Sequence, residues 1–261
     1  MSVSASEVKK LRDLTSAGMM DCKRALVEAD GDLERAQLIL REKGVAAAGK
    51  RADRDTSEGR VSGRVVSEVG TIVAVGCETE PVSTNDEFRT FVEELAILVE
   101  RDGVGAVEAA DEERAKLAAR LGENIQIVGA EIYQAEEGES VALYVHPPAH
   151  KIGVMVKLKG DGEDLARQVA MHISFANPTY LIRDEVPEDA VNAERAVLEN
   201  LPEVSSKPVD IQSKIIEGML AKRFFAGSVL ADQPWIHDDS LTVAKALGEA
   251  SVVAYVRYAL G

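Results

Sequence analysis

Gly70-Thr71-Ile72-Val73-Ala74-Val75 is the stretch on which the fold turns. Its β-branched residues follow no 3.6-residue period and predict an extended strand. Residues 61–67 just before it have the same character, so the two runs predict a β-hairpin with Gly70 in or near its turn. The period then changes. Phe88, Phe91, Val92, Leu95 and Val99 recur at helical spacing and predict a helix over residues 85–101, opened by a capping box of Thr84 and Glu87. A shorter helix is expected over 111–121. Strands are expected over 125–133, 141–145 and 152–158, the last alternating Ile152, Val154, Val156 and Leu158. Another helix follows over 163–175, with Asp161 as its cap.

A weak internal repeat links these pieces. Gly70 followed by Phe91-Val92-Glu93-Glu94-Leu95-Ala96-Ile97-Leu98-Val99 is echoed by Gly153 followed by Leu165-Ala166-Arg167-Gln168-Val169-Ala170-Met171-His172-Ile173. The first copy is longer between glycine and helix, and its extra residues fall in or around Cys77-Glu78-Thr79-Glu80-Pro81-Val82-Ser83-Thr84-Asn85. A long loop on one copy of a duplicated scaffold is the first place to look for function.

Outward from this centre, residues 1–44 read as a module of three short helices. Val8, Leu11 and Leu14 share one face of the first, Ser16-Ala17-Gly18 interrupts it, and Ala25 and Leu26 lie on the second. Asp32 caps the third, which carries Leu33, Ala36 and Leu40 and ends at Gly44. Residues 45–60 mix Ala, Gly and alternating charge without an apolar period and read as a flexible linker. Residues 61–136 and 137–261 form two core subdomains. Within the second, Pro187 and Pro208 can each begin a helix, so residues 188–225 predict an antiparallel helical hairpin. A strand over 228–230, a helix over 242–249 and a strand over 252–259 complete the reading. The fold class is α+β: a three-helix module, then a two-part core of antiparallel sheets with flanking helices and a helical hairpin.

Composition narrows the function classes. The 261 residues are 46% hydrophobic, and no apolar run approaches the roughly 18–20 residues of a spanning helix, so no membrane is expected. Without a secretory signal, two isolated cysteines, Cys22 and Cys77, fit a reducing cytoplasm as small buried residues. The net charge of −15 lies wholly beyond residue 60, since residues 1–60 hold 12 Lys and Arg against 11 Asp and Glu. Such a surface repels phosphate backbones, and direct nucleic-acid binding is not expected.

No catalytic constellation is visible. Phosphate-loop, dinucleotide, nucleophile-elbow and zinc-helix motifs are absent. His146 and His150 are four apart, but Pro147-Pro148 between them forbids the helix that would make this a metal pair. His172 lies on an apolar helix face and reads as a core or partner-facing residue. Glu78 and Glu80 read as an exposed acidic loop, since neither has a desolvating or cationic neighbour in sequence. No enzyme activity, cofactor or metal is expected.

Several stretches in order along the chain carry a resemblance. They are Leu11-Arg12-Asp13-Leu14-Thr15-Ser16-Ala17-Gly18-Met19-Met20-Asp21-Cys22-Lys23-Arg24-Ala25-Leu26, Glu28-Ala29-Asp30-Gly31-Asp32, Gly122-Glu123-Asn124-Ile125, Ala170-Met171-His172-Ile173 with Asn177-Pro178, Lys207-Pro208, and Gln233-Pro234-Trp235. Together they resemble the elongation factor Ts family of guanine-nucleotide exchange factors. The resemblance implies a ubiquitin-associated-like module and one partner, elongation factor Tu, GDP-bound and nucleotide-free. It assigns partner contact to Arg12, Met19 and Met20 in the module, to Thr79, Glu80, Pro81 and Val82 in a loop that disturbs the partner's magnesium site, and to His146 in the second half of the core. The family loop reads Thr-Asp-Phe-Val, so the carboxylate persists here as Glu80 while Pro81 replaces an aromatic wedge, weakening that contact by about 2 kcal/mol. The loss leaves a second reading open, a GTPase-binding chaperone or scaffold without exchange. The hairpin at 188–225 has three uses open to it: packing on its own core, touching the partner, or forming a homodimer.

Overall fold

Three helices open the computed structural model, which describes residues 3–15, 17–51, 53–160 and 162–261. They are α1 (Ala5–Thr15), α2 (Met19–Glu28) and α3 (Leu33–Arg51). Val8, Leu11, Cys22, Ala25, Leu26, Ala29 and Ala36 close a small core of their own between them. Asp32 caps α3 as expected, its carboxylate accepting from Arg35 N–H at 3.0 Å. The helix does not stop at Gly44. It runs seven residues further, through Ala46-Ala47-Ala48, because three of the strongest helix formers outweigh one glycine. Much of the stretch read as linker is therefore helical, and the expected break at Ser16 and cap at Asp161 lie outside the described residues.

β1 (Glu58–Val66) and β2 (Val69–Cys77) form the predicted hairpin, but its turn is Ser67-Glu68, with Val66 opposite Val69 and Ser67 at φ 55°. A two-residue hairpin turn demands such a left-handed residue. Gly70 stands near that turn but inside β2, for a reason of packing given below. After β2 come α4 (Glu80–Ser83), α5 (Asp86–Asp102), α6 (Ala106–Ala109) and α7 (Asp111–Leu121), then β3 (Ile125–Gln134), which pairs with β2. Asn85, not Thr84, caps α5: its side chain accepts from Glu87 N–H at 2.8 Å and Phe88 N–H at 3.3 Å. Thr84 turns its hydroxyl back to the carbonyls of Glu80 and Pro81.

The second half repeats this plan. β4 (Glu139–Val145) and β5 (Ile152–Lys159) form a hairpin, α8 (Gly162–Ala176) crosses it, and the last strand closes an antiparallel sheet against β5. Between α8 and that strand lies the helical hairpin. It comprises α9 (Glu188–Glu199), α10 (Pro202–Ser205), α11 (Val209–Met219), a π-helical run over Leu220–Phe225, and α12 (Ala226–Ser228). Leu198, Val204, Ile216 and Leu220 hold it together, with Arg195 paired to Glu217. The strand expected over 228–230 is a single bridge from Val229 to Tyr180, followed by a 3-10 turn. Next come β6 (Pro234–Trp235), β7 (Asp238–Thr242), α13 (Val243–Leu247) and β8 (Ser251–Ala259).

Strand order is β1-β2-β3 in one sheet and β4-β5-β8 in the other, so the weak repeat in sequence is a repeat in topology. Alternation sets the layers. In β2, Val73, Val75 and Cys77 pack beneath Phe88, Phe91, Val92, Leu95 and Val99 of α5, while Ile72 and Ala74 face the other sheet. In β5, Val154, Val156 and Leu158 meet Ala166, Val169, Ala170 and Ile173 of α8, while Met155 faces inward between the sheets. The two sheets therefore lie back to back with helices outside, an α+β architecture.

Glycine makes that approach possible. A Cβ on Gly70 would stand 2.3 Å from Val141 Cγ1, and one on Gly153 would stand 2.4 Å from Val61 Cγ1. Each sheet thus receives a valine of the other in a glycine notch. Substitution Gly70→Ala should destabilise the fold by about 1–3 kcal/mol through overpacking, read as a lower urea midpoint. An unchanged midpoint would mean that the sheets can part without cost.

Candidate partner-binding site

The extra residues of the first repeat occupy 78–85, where β2 passes to α5 through α4; the matching step from β5 to α8 spans only residues 160–161. This segment is not a free loop. Glu78 N–H and Thr79 N–H both donate to Glu123 Oε2 at 3.1 Å, and the Thr79 hydroxyl donates to Glu123 Oε1. In return Glu78 Oε1 accepts from Asn124 N–H at 2.6 Å, and its Oε2 pairs with Arg54 at 3.1 Å. The Asn124 side chain donates to the Arg54 carbonyl at 2.9 Å, stapling the chain that leaves the N-terminal module onto the same spot. Glu78 is thus half-buried and engaged, not the solvated acid that its sequence neighbours suggest.

Beyond this clamp the predicted residues divide. Glu80 and Pro81 are exposed, whereas Val82 is half-buried against the cluster beneath α5 and anchors the turn. The Cys77 thiol below donates to the Thr79 carbonyl at 3.4 Å, and burial, with Glu123 adding to it, pushes its pKa up to about 12. Such a thiol is unreactive, and Cys22 is buried as well.

His146 is exposed and sits in the turn from β4 to β5, its Nδ1 2.9 Å from Tyr144 Oη. That turn lies against the start of β1, where Val61 N–H donates to the His150 carbonyl at 2.7 Å and Lys151 pairs with Glu58 at 2.6 Å. Glu58 in turn lies opposite Cys77 in the sheet. The 79–82 turn and the His146 turn therefore share one end of the molecule. In the N-terminal module Arg12 is exposed, and Met19 and Met20 are 57% and 63% exposed. Leu14, expected on the buried face of α1, is exposed too and joins the methionines around the turn between α1 and α2. Among the described residues, no three His, Cys, Asp or Glu side chains gather as a metal site requires. No helix among them is long and apolar enough to cross a membrane.

A family model described as Elongation factor TS matches residues 78–261. Relatives named elongation factor Ts align over almost the whole chain. That of Deinococcus radiodurans is 40% identical over 97% of this chain and 98% of its own length. That of Psychromonas ingrahamii is 39% identical over 100% and 91%, and that of Cutibacterium acnes 38% identical over 100% of both. The chain belongs to the elongation factor Ts family. Membership implies a nucleotide-exchange factor serving elongation factor Tu in translation elongation.

Several stretches that carry the elongation factor Ts resemblance prove to be joints. His172 is wholly buried, its ring stacked on Trp235 at 5.2 Å. Its Nε2–H donates to Gln233 Oε1 at 2.9 Å, and its Nδ1 accepts from Ile236 N–H at 3.4 Å. Gln233 then donates to the carbonyls of Ala176 and Gly227, tying α8 to the root of the helical hairpin. The Glu123-Asn124 pair is the second joint, and its clamp on residues 78 and 79 was hidden because the partners lie 44 to 46 positions apart.

Both His172 nitrogens are matched to the neutral ring. Burial, the largest cause, holds its pKa below the ordinary 6.5, against the opposing pull of the Gln233 bond. The unfolded chain then takes up a proton that the folded chain refuses, so stability is complete above about pH 6.5 and falls as the solution is acidified below it. In His172→Gln, the decline of the urea midpoint from about pH 7.5 to about pH 5.5 should be shallower than in the wild type. Parallel declines would clear His172 of this role.

Proposed function

We propose that this chain releases GDP from elongation factor Tu by pressing the 79–82 turn against the partner's magnesium and nucleotide site while the N-terminal module grips it. The observation that carries this reading is the form of the turn. An exposed carboxylate, Glu80, and an exposed rigid residue, Pro81, stand on one helical turn clamped to the core at Thr79 and Val82. A group that must invade another protein's site benefits from being held in place beforehand, since its ordering cost is met before contact. Leu14, Met19 and Met20 supply an apolar, adaptable grip beside Arg12, and His146 adds a contact at the same end of the core as the turn.

The mechanism needs no reactive group. It needs tighter binding to the nucleotide-free partner than to the GDP-bound one, and linkage then weakens GDP by the same factor. A carboxylate brought beside a magnesium-phosphate site repels the phosphates and competes for the cation, both of which oppose retention of GDP.

The test is release of fluorescent GDP from elongation factor Tu at rising concentrations of this chain. Acceleration at about micromolar concentration is expected, in keeping with protein affinities in that range. Glu80→Ala should lower the plateau rate, while Met19→Ala with Met20→Ala should raise the half-saturating concentration about tenfold. Stable binding with no faster release would instead favour the scaffold reading, which Pro81 in place of an aromatic supports.

A further inference from the structure

We infer that Glu123 is the positioning residue of the exchange turn: its carboxylate fixes Thr79 and so determines how Glu80 and Pro81 are presented. This rests on the function proposed for residues 79–82. α4 is a single turn of four residues, too short to hold its shape by its own bonds. Thr79 stands at its N-cap, where a hydroxyl ordinarily accepts from an N–H two or three residues on. Thr79 makes no such bond; its hydroxyl is turned to donate to Glu123. Two of the turn's own bonds run back to the Thr79 carbonyl, from Val82 N–H at 3.1 Å and Ser83 N–H at 3.2 Å, while Thr84 N–H and the Ser83 hydroxyl close on the Glu80 carbonyl at 3.1 Å and 2.8 Å. Fixing Thr79 therefore fixes the end from which the turn starts.

Glu123 is built to do so. Three donors converge on its two oxygens, and bonds to an ionised acceptor are stronger than neutral ones. Its own backbone is anchored: Gly122, at φ 77°, ends α7, and the two residues that follow Glu123 are buried, with Ile125 in the cluster beneath α5. Val82 packs against that same cluster. The turn is thus held at one side by a carboxylate and at the other by an apolar contact, and only Glu80 and Pro81 between them face outward.

The experiment compares wild type, Glu123→Ala and Glu123→Gln as full chains. It measures GDP release from elongation factor Tu across factor concentrations, and backbone hydrogen exchange of residues 79–84 and of α5 in the free chain. Glu123→Ala should lower the plateau rate about tenfold while the half-saturating concentration stays within about twofold, the signature of a misplaced group on an intact grip. Protection should fall at residues 79–84 and persist in α5. Glu123→Gln keeps an oxygen for the two amides and an N–H for Thr79 Oγ1, and should recover most of the plateau. Unchanged protection at 79–84 in Glu123→Ala would overturn the inference, as would equal loss in α5 or a Gln variant no better than Ala. Should the wild type itself fail to release GDP, the functional reading falls, and the hydrogen-exchange comparison still decides whether Glu123 positions the turn.

Discussion

The rest of the molecule depends on the reciprocal seating of Val61 over Gly153 and Val141 over Gly70. One residue to either side along a strand would invert every side chain, because alternation has a period of two. Fixing Gly70 and Gly153 at the interface sends Ile72 and Met155, each two residues on, to the same interface. Val73 and Val154, each one residue out of phase with these, are forced outward onto α5 and α8. The same register brings the end of β2, the start of β1 and the turn from β4 to β5 to one edge. Candidate binding residues about 65 positions apart, Thr79 to Val82 and His146, reach a common end of the core through this contact, with no need for any long loop.

Periodicity made much of this legible. α5, α7, α8 and the strands of both sheets stand within a residue or two of where apolar spacing places them, apart from β1, which begins three residues early at Glu58, since each buries one face against a neighbour and the pattern records that burial. What escaped was set by partners distant in sequence or by special backbone. Gly70 looked like a turn residue because glycine permits turns, but it serves close approach, which only the opposite sheet reveals. Leu14 fits the apolar face of α1 by spacing and yet lies outside, while its neighbour Thr15 turns toward Cys22 in the small core. β6 and β7 are short, and β7 opens on Asp238-Asp239-Ser240, so their pairing left no pattern to read. The unequal repeat points to residues 77–85 and the family resemblance to 79–82 within them; neither reveals the clamp, since nothing in a local window ties Glu123 to Thr79.

The two halves offer an internal comparison. They share strand order and helix placement, and they differ at the step from second strand to helix, residues 78–85 against residues 160–161. The short step shows that the scaffold closes without an insertion there. The longer one brings its own supports, Glu123 from beyond α7 and Arg54 from the segment before β1, which together convert eight connecting residues into a fixed projection. The Arg54 contacts also place the segment that follows α3 beside that projection.

Pro81 then poses a question of magnitude. In the proposed exchange, losing an aromatic side chain from the tip of the turn forfeits contact worth about 2 kcal/mol. Proline returns part of this. It stands in the first turn of α4, where its fixed φ suits the helix and its missing N–H costs nothing, and such a residue lowers the entropy of the unordered segment by about 0.4–1 kcal/mol. The clamp has already ordered the neighbouring Thr79, so the proline gain is at the lower end of that span. A deficit of about 1 kcal/mol or more remains at the tip. The carboxylate of Glu80 escapes this deficit, because its effect on a magnesium-phosphate site is electrostatic and depends on placement rather than on buried area. Under the proposed exchange, the weight of displacement therefore shifts from wedge to charge, and affinity toward Leu14, Met19 and Met20 on the module.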